Sequence, residues 1–199
     1  MSLFKERKKG IIFVVSGPSG TGKSTLAAEL IARYPNDFAR VVTCTTRAPR
    51  RGEEDGRDYY FYDDKTFHDK KAKEAFFEVE SMYGHHYGTL KEEVYKHIES
   101  GKHVLLVIGV GGALQLMKKI QAVYIFIGPP SLQELERRIR LRNKDSEEAI
   151  EKRLRRAKEE LEKKNHYDYL VVNEIFPESL AVLQSIVVAE DHKVFKGDT

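Results

Sequence analysis

Cysteine is nearly absent from this sequence, because Cys44 is the only cysteine among 199 residues. No intrachain disulfide can form, so a buried apolar core has to hold the fold together. The lack of disulfides is typical of proteins from a reducing compartment, and we expect a cytoplasmic location.

Long apolar runs and an excess of one charge are also missing. No run approaches the roughly 20 apolar residues of a membrane-spanning helix. The basic start, MSLFKERKK, is not followed by the apolar region of a signal peptide, and we expect it to form a solvated tail. The 34 basic and 31 acidic residues leave a net charge of +3. This balance predicts neither a nucleic-acid nor a membrane partner, although it suits small anionic ligands, and it leaves the oligomeric state open.

Short apolar runs instead alternate with amphipathic segments. The runs that begin near Ile11, His103, Ala122 and Tyr169 are typical of strands buried on both faces, and helix-like stretches follow them. This alternation predicts an α/β fold with a parallel sheet flanked by helices. Residues 41–89 break the rhythm with shorter, more aromatic strands, which we interpret as a small inserted β-rich subdomain.

The link between the first predicted strand and helix reads GPSGTGKS, which satisfies the phosphate-binding pattern G-x-x-x-x-G-K-[ST]. Its glycines let several backbone N–H groups point at one place, and the following helix adds its positive end. We therefore predict a P-loop NTPase-type sheet that binds a nucleoside triphosphate with Mg²⁺. The predicted binding residues are Gly17, Pro18, Ser19, Gly20, Thr21, Gly22, Lys23, Ser24 and Thr25, with Ser24 as the metal ligand.

Three further segments follow the glycine loop in order: TCTTRAPRRGEEDGRDYYF, YGHHYGT and RIRLRNKDSEEAIEKRL. With the loop they resemble the guanylate kinases, ATP:GMP phosphotransferases, over nearly the whole chain. The resemblance implies ATP as phosphoryl donor with Mg²⁺ and GMP as acceptor, and it leaves acceptance of dGMP open. It also implies one domain over 1–199, with a core (10–40, 90–141 and 160–199), a GMP-binding subdomain (41–89) and a helical lid (142–159).

The same resemblance implies roles for side chains of the acceptor site. Arg47 and Arg50 would grip the GMP phosphate with their guanidinium forks. Glu78 would accept hydrogen bonds from N1–H and N2–H of guanine, a donor pair that adenine lacks. The other implied acceptor-site residues are Thr43, Tyr59, Tyr87 and Thr89.

Residues on the donor side and in the lid also match the family. Arg138 and Asn173 would lie on the ATP side. The catalytic set would neutralise the charge that spreads during phosphoryl transfer, and it comprises Lys23, Arg47, Arg142 and Arg153. We interpret Arg155 and Arg156 as solvated residues of a charged helix.

One stretch departs from the family pattern. The strand in VLLVIGVGG usually carries two acids two residues apart and then a glutamine, whereas this chain has Val107, Gly109 and Gly111. The departure predicts an impaired enzyme, a compensating Asp or Glu elsewhere, or an engineered variant. If a side chain is missing, Asp in place of Gly109 should raise kcat/KM for GMP.

Two alternatives differ in function class. Guanylate-kinase-like domains of scaffold proteins bind phosphopeptides, but they typically degrade the glycine loop, which is intact here. A P-loop kinase for another nucleotide would not need the acid at Glu78 or hydroxyls at Thr43 and Thr89. GMP-dependent turnover separates both alternatives from a guanylate kinase.

Overall fold

The computed structural model describes residues 3–82, 84–142 and 147–194, and the side chain of Arg142 lies outside the described part. Its strands are β1 (Ile12–Ser16), β2 (Phe38–Arg40), β3 (Cys44–Thr45), β4 (Tyr60–Phe61), β5 (Phe76–Met82), β6 (His85–Leu90), β7 (His103–Val107), β8 (Val123–Gly128) and β9 (Tyr169–Val172). Its helices are α1 (Lys23–Arg33), α2 (Asp64–Ala72), α3 (Lys91–Glu99), α4 (Val110–Leu116), α5 (Leu132–Arg142), α6 (Glu147–Leu161) and α7 (Phe176–His192), with a 3₁₀ turn at Glu162–His166.

The main sheet has five parallel strands in the order β2-β7-β1-β8-β9. Apolar residues of both faces of β1 are buried: Phe13 packs with the α1 and α7 side, and Val14 packs with the α4 side. Because β1 lies between β7 and β8, the segments that follow these three strands meet at one edge of the sheet. This edge is where an open α/β sheet binds its ligand.

A second sheet has four strands in the order β4-β3-β6-β5 and its own small core, which includes Cys44, Phe67 and Phe76. Its strand β5 runs along α4 of the main layer. Gln115 Nε2 donates to the Val79 carbonyl at 3.0 Å across this contact. The contact places the side chains of β5 beside the turn that joins β7 to α4.

Helices α5 and α6 pack on each other through a separate apolar cluster. Leu135 and Ile139 of α5 meet Ile150 and Ala157 of α6. Another side of α6 carries Arg153, Arg156 and Glu160, which line a cavity at the sheet edge. In the part of the chain described here, no helix has the length and apolar character to cross a membrane.

The predicted solvated tail at the start of the chain is wrong in one respect: residues 3–9 are mostly exposed, but the segment is fixed to the core at Phe4, Lys5 and Arg7. Phe4 is only 7% exposed, and its ring packs edge-on against Phe38 at 4.9 Å between centroids. The Lys5 backbone N–H donates to the buried Asp191 carboxylate at 2.8 Å, and Arg7 pairs with the same group. One aromatic side chain and one buried acid fix the segment, although its composition is that of a tail.

The predicted strand over 41–46 is also wrong in its bounds. The chain forms β2 at Phe38–Arg40, which pairs with β7 of the main sheet, and then β3 at Cys44–Thr45, which pairs with β6 of the small sheet. Because both strands are very short, the apolar pattern of the sequence could not show that they are two strands in two different sheets.

Candidate active site

The glycine loop follows β1 directly and needs left-handed backbone at three positions. Gly17, Gly20 and Gly22 have φ values of 137°, 90° and 88°, a region that side-chain-bearing residues rarely adopt. A Cβ at Gly17 would also lie 2.2 Å from the Ile127 carbonyl oxygen of β8. The loop can form only because glycine stands at these positions.

Lys23 and Ser24 open α1 at the rim of the loop. The Lys23 ammonium donates to the Gly17 and Pro18 carbonyls at 2.7 and 2.8 Å. The Thr21 hydroxyl donates to the Pro18 carbonyl at 2.9 Å, which closes the loop from inside. The hydroxyl-bearing Ser24 is exposed and lines the cavity beside the loop. A ring of backbone amides, one cation and one hydroxyl together suit a Mg²⁺-bound triphosphate.

Asn173 and Arg138 brace the loop from behind. Asn173 Nδ2 donates to the Thr21 carbonyl at 2.8 Å, and the Asn173 carbonyl accepts from Arg138 Nη1 at 2.9 Å. Arg138 is held in turn by Glu134 of α5 at 2.8 Å. This contact chain connects β9 and α5 to the loop, so the predicted ATP-side residues touch the loop and its support.

Glu78 of β5 lies buried in the wall of the cavity that the loop also lines. Glu78 is only 4% exposed, and the Thr89 hydroxyl donates to Glu78 Oε1 at 2.8 Å. Burial raises the pKa of Glu78 to about 7, although the Thr89 hydrogen bond opposes the shift. The other oxygen, Oε2, lies beside the start of α4, where a Cβ at Gly112 would be 2.7 Å from it.

The arginine loop is organised by Glu53, a residue that the sequence did not indicate. Arg47 Nη1 pairs with Glu53 at 3.0 Å, and the Arg50 backbone N–H donates to the same carboxylate at 2.7 Å. The Arg47 guanidinium also lies 5.4 Å from the centroid of Tyr59, whose ring meets that of Tyr87 edge-on. The loop is therefore pre-folded around one acid.

One cavity of about 300 Å³ joins the two halves of the site. The predicted residues that line it are Gly17, Ser19, Lys23, Ser24, Thr43, Arg50, Tyr59, Glu78, Tyr87 and Arg153. Arg47 and Thr89 are not among the lining residues, but Arg47 contacts Tyr59 and Thr89 contacts Glu78. The Arg142 side chain lies outside the described residues. Within the described ranges, no group of three or more His, Cys, Asp or Glu residues is arranged to hold a metal ion.

Arg156 corrects the interpretation of a solvated helix face. It lines the cavity, donates from Nε to Glu160 at 2.8 Å, and pairs with Glu80 of β5. Burial raises the pKa of Glu160, and Arg156 only partly offsets this. Arg156 and Glu160 are four residues apart on α6, and this spacing could have indicated from the sequence that the two side chains form a pair.

Glu80 fits one of the three interpretations of the departure at Gly109, a compensating acid from elsewhere in the chain. A Cβ built on Gly109 would lie 2.1 Å from Glu80 Oε2, so the Glu80 carboxylate occupies the space of the expected side chain. The expected gain from Asp at Gly109 therefore loses its basis, because the space is already filled by a carboxylate. Glu78 and Glu80 are two apart on one strand and share a face, which is the signal that could have revealed this.

A glycine loop after the central parallel strand, opposite a pocket with a buried acid and arginines, is the architecture of a P-loop kinase. The family model described as guanylate kinase matches residues 9–190. The chain is 46% identical to a guanylate kinase from Protochlamydia amoebophila, over 98% of this chain and 99% of that protein. It is 41% identical to one from Caldanaerobacter subterraneus, over 94% of this chain and 91% of that protein.

One solved structure agrees with these relatives. Guanylate kinase from Anaplasma phagocytophilum matches with a TM-score of 0.78 and 32% identity, covering 94% of this chain and 89% of that one. The chain belongs to the guanylate kinase family.

Proposed function

We propose that this protein transfers the γ-phosphoryl group of ATP to GMP and releases ADP and GDP. The observation that carries the proposal is the single cavity that the glycine loop lines from one side and Glu78 from the other. A donor and an acceptor bound there face each other across the cavity. In the transfer, a GMP phosphate oxygen bonds to the γ-phosphorus while the bond to the β–γ bridging oxygen breaks, and that oxygen leaves with ADP.

The donor half binds ATP through the backbone of residues 17–25. Loop amides contact the β- and γ-phosphates, and Lys23 moves from the loop carbonyls to the phosphate oxygens. Ser24 would hold Mg²⁺, which would supply positive charge to offset that of the triphosphate. Asn173 and Arg138 keep the loop in shape from behind.

The acceptor half binds GMP by its base and by its phosphate. Glu78, oriented by Thr89, accepts from the guanine N1–H and N2–H groups, and Thr43 lines the same pocket. Arg50, Arg47, Tyr59 and Tyr87 form the phosphate end of the pocket. No general base is required, because the attacking oxygen is already an anion.

Arginines complete the site from the lid. Arg153 of α6 lines the cavity, and Arg142 at the end of α5 is the second lid arginine that we propose for catalysis. The proposed division is a core (10–40, 90–141 and 160–199), a GMP-binding subdomain (41–89) and a lid (142–159). A lid that closes over both nucleotides keeps water from the γ-phosphoryl group. The proposed location is the cytoplasm, in keeping with the single cysteine.

Coupled ADP-release assays with GMP, dGMP, AMP, dTMP and no acceptor test the proposal. We expect rapid ADP release with GMP and little with AMP, with dTMP or without an acceptor; dGMP measures tolerance at the ribose. GMP binding in calorimetry without turnover would instead indicate a binding module. Equal turnover with AMP or dTMP would contradict selection of guanine by Glu78.

A further inference from the structure

The carboxylate of Glu80 lies in a space that two glycines at the start of α4, Gly109 and Gly111, leave open. Glu80 is 8% exposed, and the Gly112 backbone N–H donates to its Oε2 at 3.2 Å. A Cβ at Gly109 would meet Glu80 Oε2 at 2.1 Å, and one at Gly111 would meet Oε1 at 2.8 Å. Either side chain would have to displace this carboxylate.

The backbone does not require glycine at Gly109. Its φ of −70° and ψ of 165° are open to any residue. The missing side chain therefore provides room and not conformational freedom. A carboxylate from β5 enters that room from the opposite wall of the cavity.

The outer side of Glu80 faces the lid helix. Glu80 Oε1 pairs with Arg156 of α6, and Arg156 also donates to Glu160 on its own helix. The Glu80 side chain thus connects β5 with the start of α4 and with α6. A buried carboxylate needs such partners, because leaving it unpaired is costly.

We propose that Glu80 is a positioning residue for phosphoryl transfer, which holds Arg156 at the cavity from β5 instead of from Val107 at the end of β7 or Gly109 just after it. This proposal rests on the proposed function of the site. Arg156 shares the cavity with Lys23 and Glu78. A guanidinium fixed there is oriented before the substrates bind, which is how a charged group aids a transfer that depends on alignment.

Moving the carboxylate between strands tests the proposal most directly. The variants are E80Q, E80A, G109D and E80A/G109D, assayed for ADP release with ATP and GMP beside the wild type. E80Q and E80A should lower kcat by about ten- to hundred-fold, the loss expected for one charged contact. G109D alone should lower kcat about tenfold, because two carboxylates then compete for one space.

The double variant E80A/G109D should recover kcat to within about threefold of the wild type, because Asp at 109 returns a carboxylate to the vacated space. The KM for ATP should change by less than about twofold throughout, since the glycine loop is untouched. R156M should lower kcat as E80Q does, and E80Q/R156M should lose little more than the larger single effect.

The matched control is E136Q on α5, which removes one of the two carboxylate partners of Arg140, in a 2.8 Å ion pair outside the cavity, and should leave kcat unchanged. Thermal melts of every variant separate folding defects from kinetic ones, and the isosteric E80Q carries the test if E80A melts early. If E80Q keeps wild-type kcat, or if E80A/G109D is no better than E80A, the proposal is overturned. If the wild type itself releases no GMP-dependent ADP, the proposed function fails, and this proposal fails with it.

Discussion

The two halves of the active site are built in different ways. The proposed donor half is one uninterrupted segment, residues 17–25, in which backbone groups would do most of the binding and left-handed glycines set the shape. The acceptor half draws side chains from β5, β6, the arginine loop and α6, which are far apart along the chain. A backbone cradle cannot be moved, because its conformation depends on the residues in it. A side-chain pocket requires only that charges arrive at the right place, and Glu80 shows that a different strand can deliver one.

The largest expected effect is on the donor half, where substitutions should not be rescued from elsewhere. Lys23→Met removes the only side-chain cation of the glycine loop segment. We expect kcat to fall about 10³-fold, at the upper end for one electrostatic contact in a transition state. ADP release at saturating ATP and GMP measures it.

The control for this variant is Lys65→Met on the exposed face of α2, which should leave kcat unchanged. A loss below about tenfold for Lys23→Met would contradict the assignment of the donor half.

The second effect is on the proposed acceptor half, where we expect Glu78 to select the base that is accepted. Glu78→Gln leaves one carbonyl oxygen and adds an N–H group that opposes the guanine donors. We expect kcat/KM for GMP to fall about hundred-fold, while the KM for ATP stays within about twofold. Steady-state kinetics with each nucleotide varied in turn measure the difference. An equal loss on both substrates would show that the two halves are not separable in this way.

The third effect comes from the raised pKa of Glu78, which is about 7 because of burial. Guanine donates to the ionised carboxylate, so GMP binding is lost as the pH falls through that pKa. We expect the KM for GMP to be about tenfold higher at pH 6 than at pH 8. The KM for ATP measured over the same range provides the comparison between halves.

Glu78→Gln is the control. In this variant the KM for GMP should change with pH only by the smaller amount that comes from the GMP phosphate, whose second pKa is about 6. The nucleotide-free protein should show the opposite sign. A carboxyl pKa raised on folding stabilises below the unfolded value of about 4.5, and this contribution is lost as the pH rises through 7. Urea unfolding at pH 5 and pH 8 compares wild type with Glu78→Gln, and an identical difference in both proteins would contradict the assignment.

The smallest effect concerns the long-range support of the donor half. Asn173→Ala removes the 2.8 Å hydrogen bond to the Thr21 carbonyl. We expect the KM for ATP to rise about fivefold, in line with about 1 kcal/mol for one such bond, and the KM for GMP to stay constant. Asn36→Ala, in an exposed turn, is the control. A change in the KM for GMP alone would contradict the assignment of Asn173 to the donor half.

Much of this molecule could be predicted from local pattern. The apolar runs near Ile11, His103, Ala122 and Tyr169 mark strands of the main sheet, because a strand buried on both faces has to be apolar throughout. The edge strand at Phe38–Arg40 escaped this test because three residues are too short to show a period. The first residues escaped because composition alone does not show that Phe4 finds a buried site.

The sequence by itself determined the glycine loop, since the φ values that shape it depend on the residues that form it. Only the tertiary structure decided which acid stands beside the β7–α4 turn and that Arg156 faces the cavity instead of solvent. The reason is physical: the position of a side-chain charge depends on where its tip ends, and that depends on how a distant strand and helix pack. Glu80 Oε2 would lie 2.1 Å from a Cβ added at Gly109, although 29 positions separate the two residues along the chain.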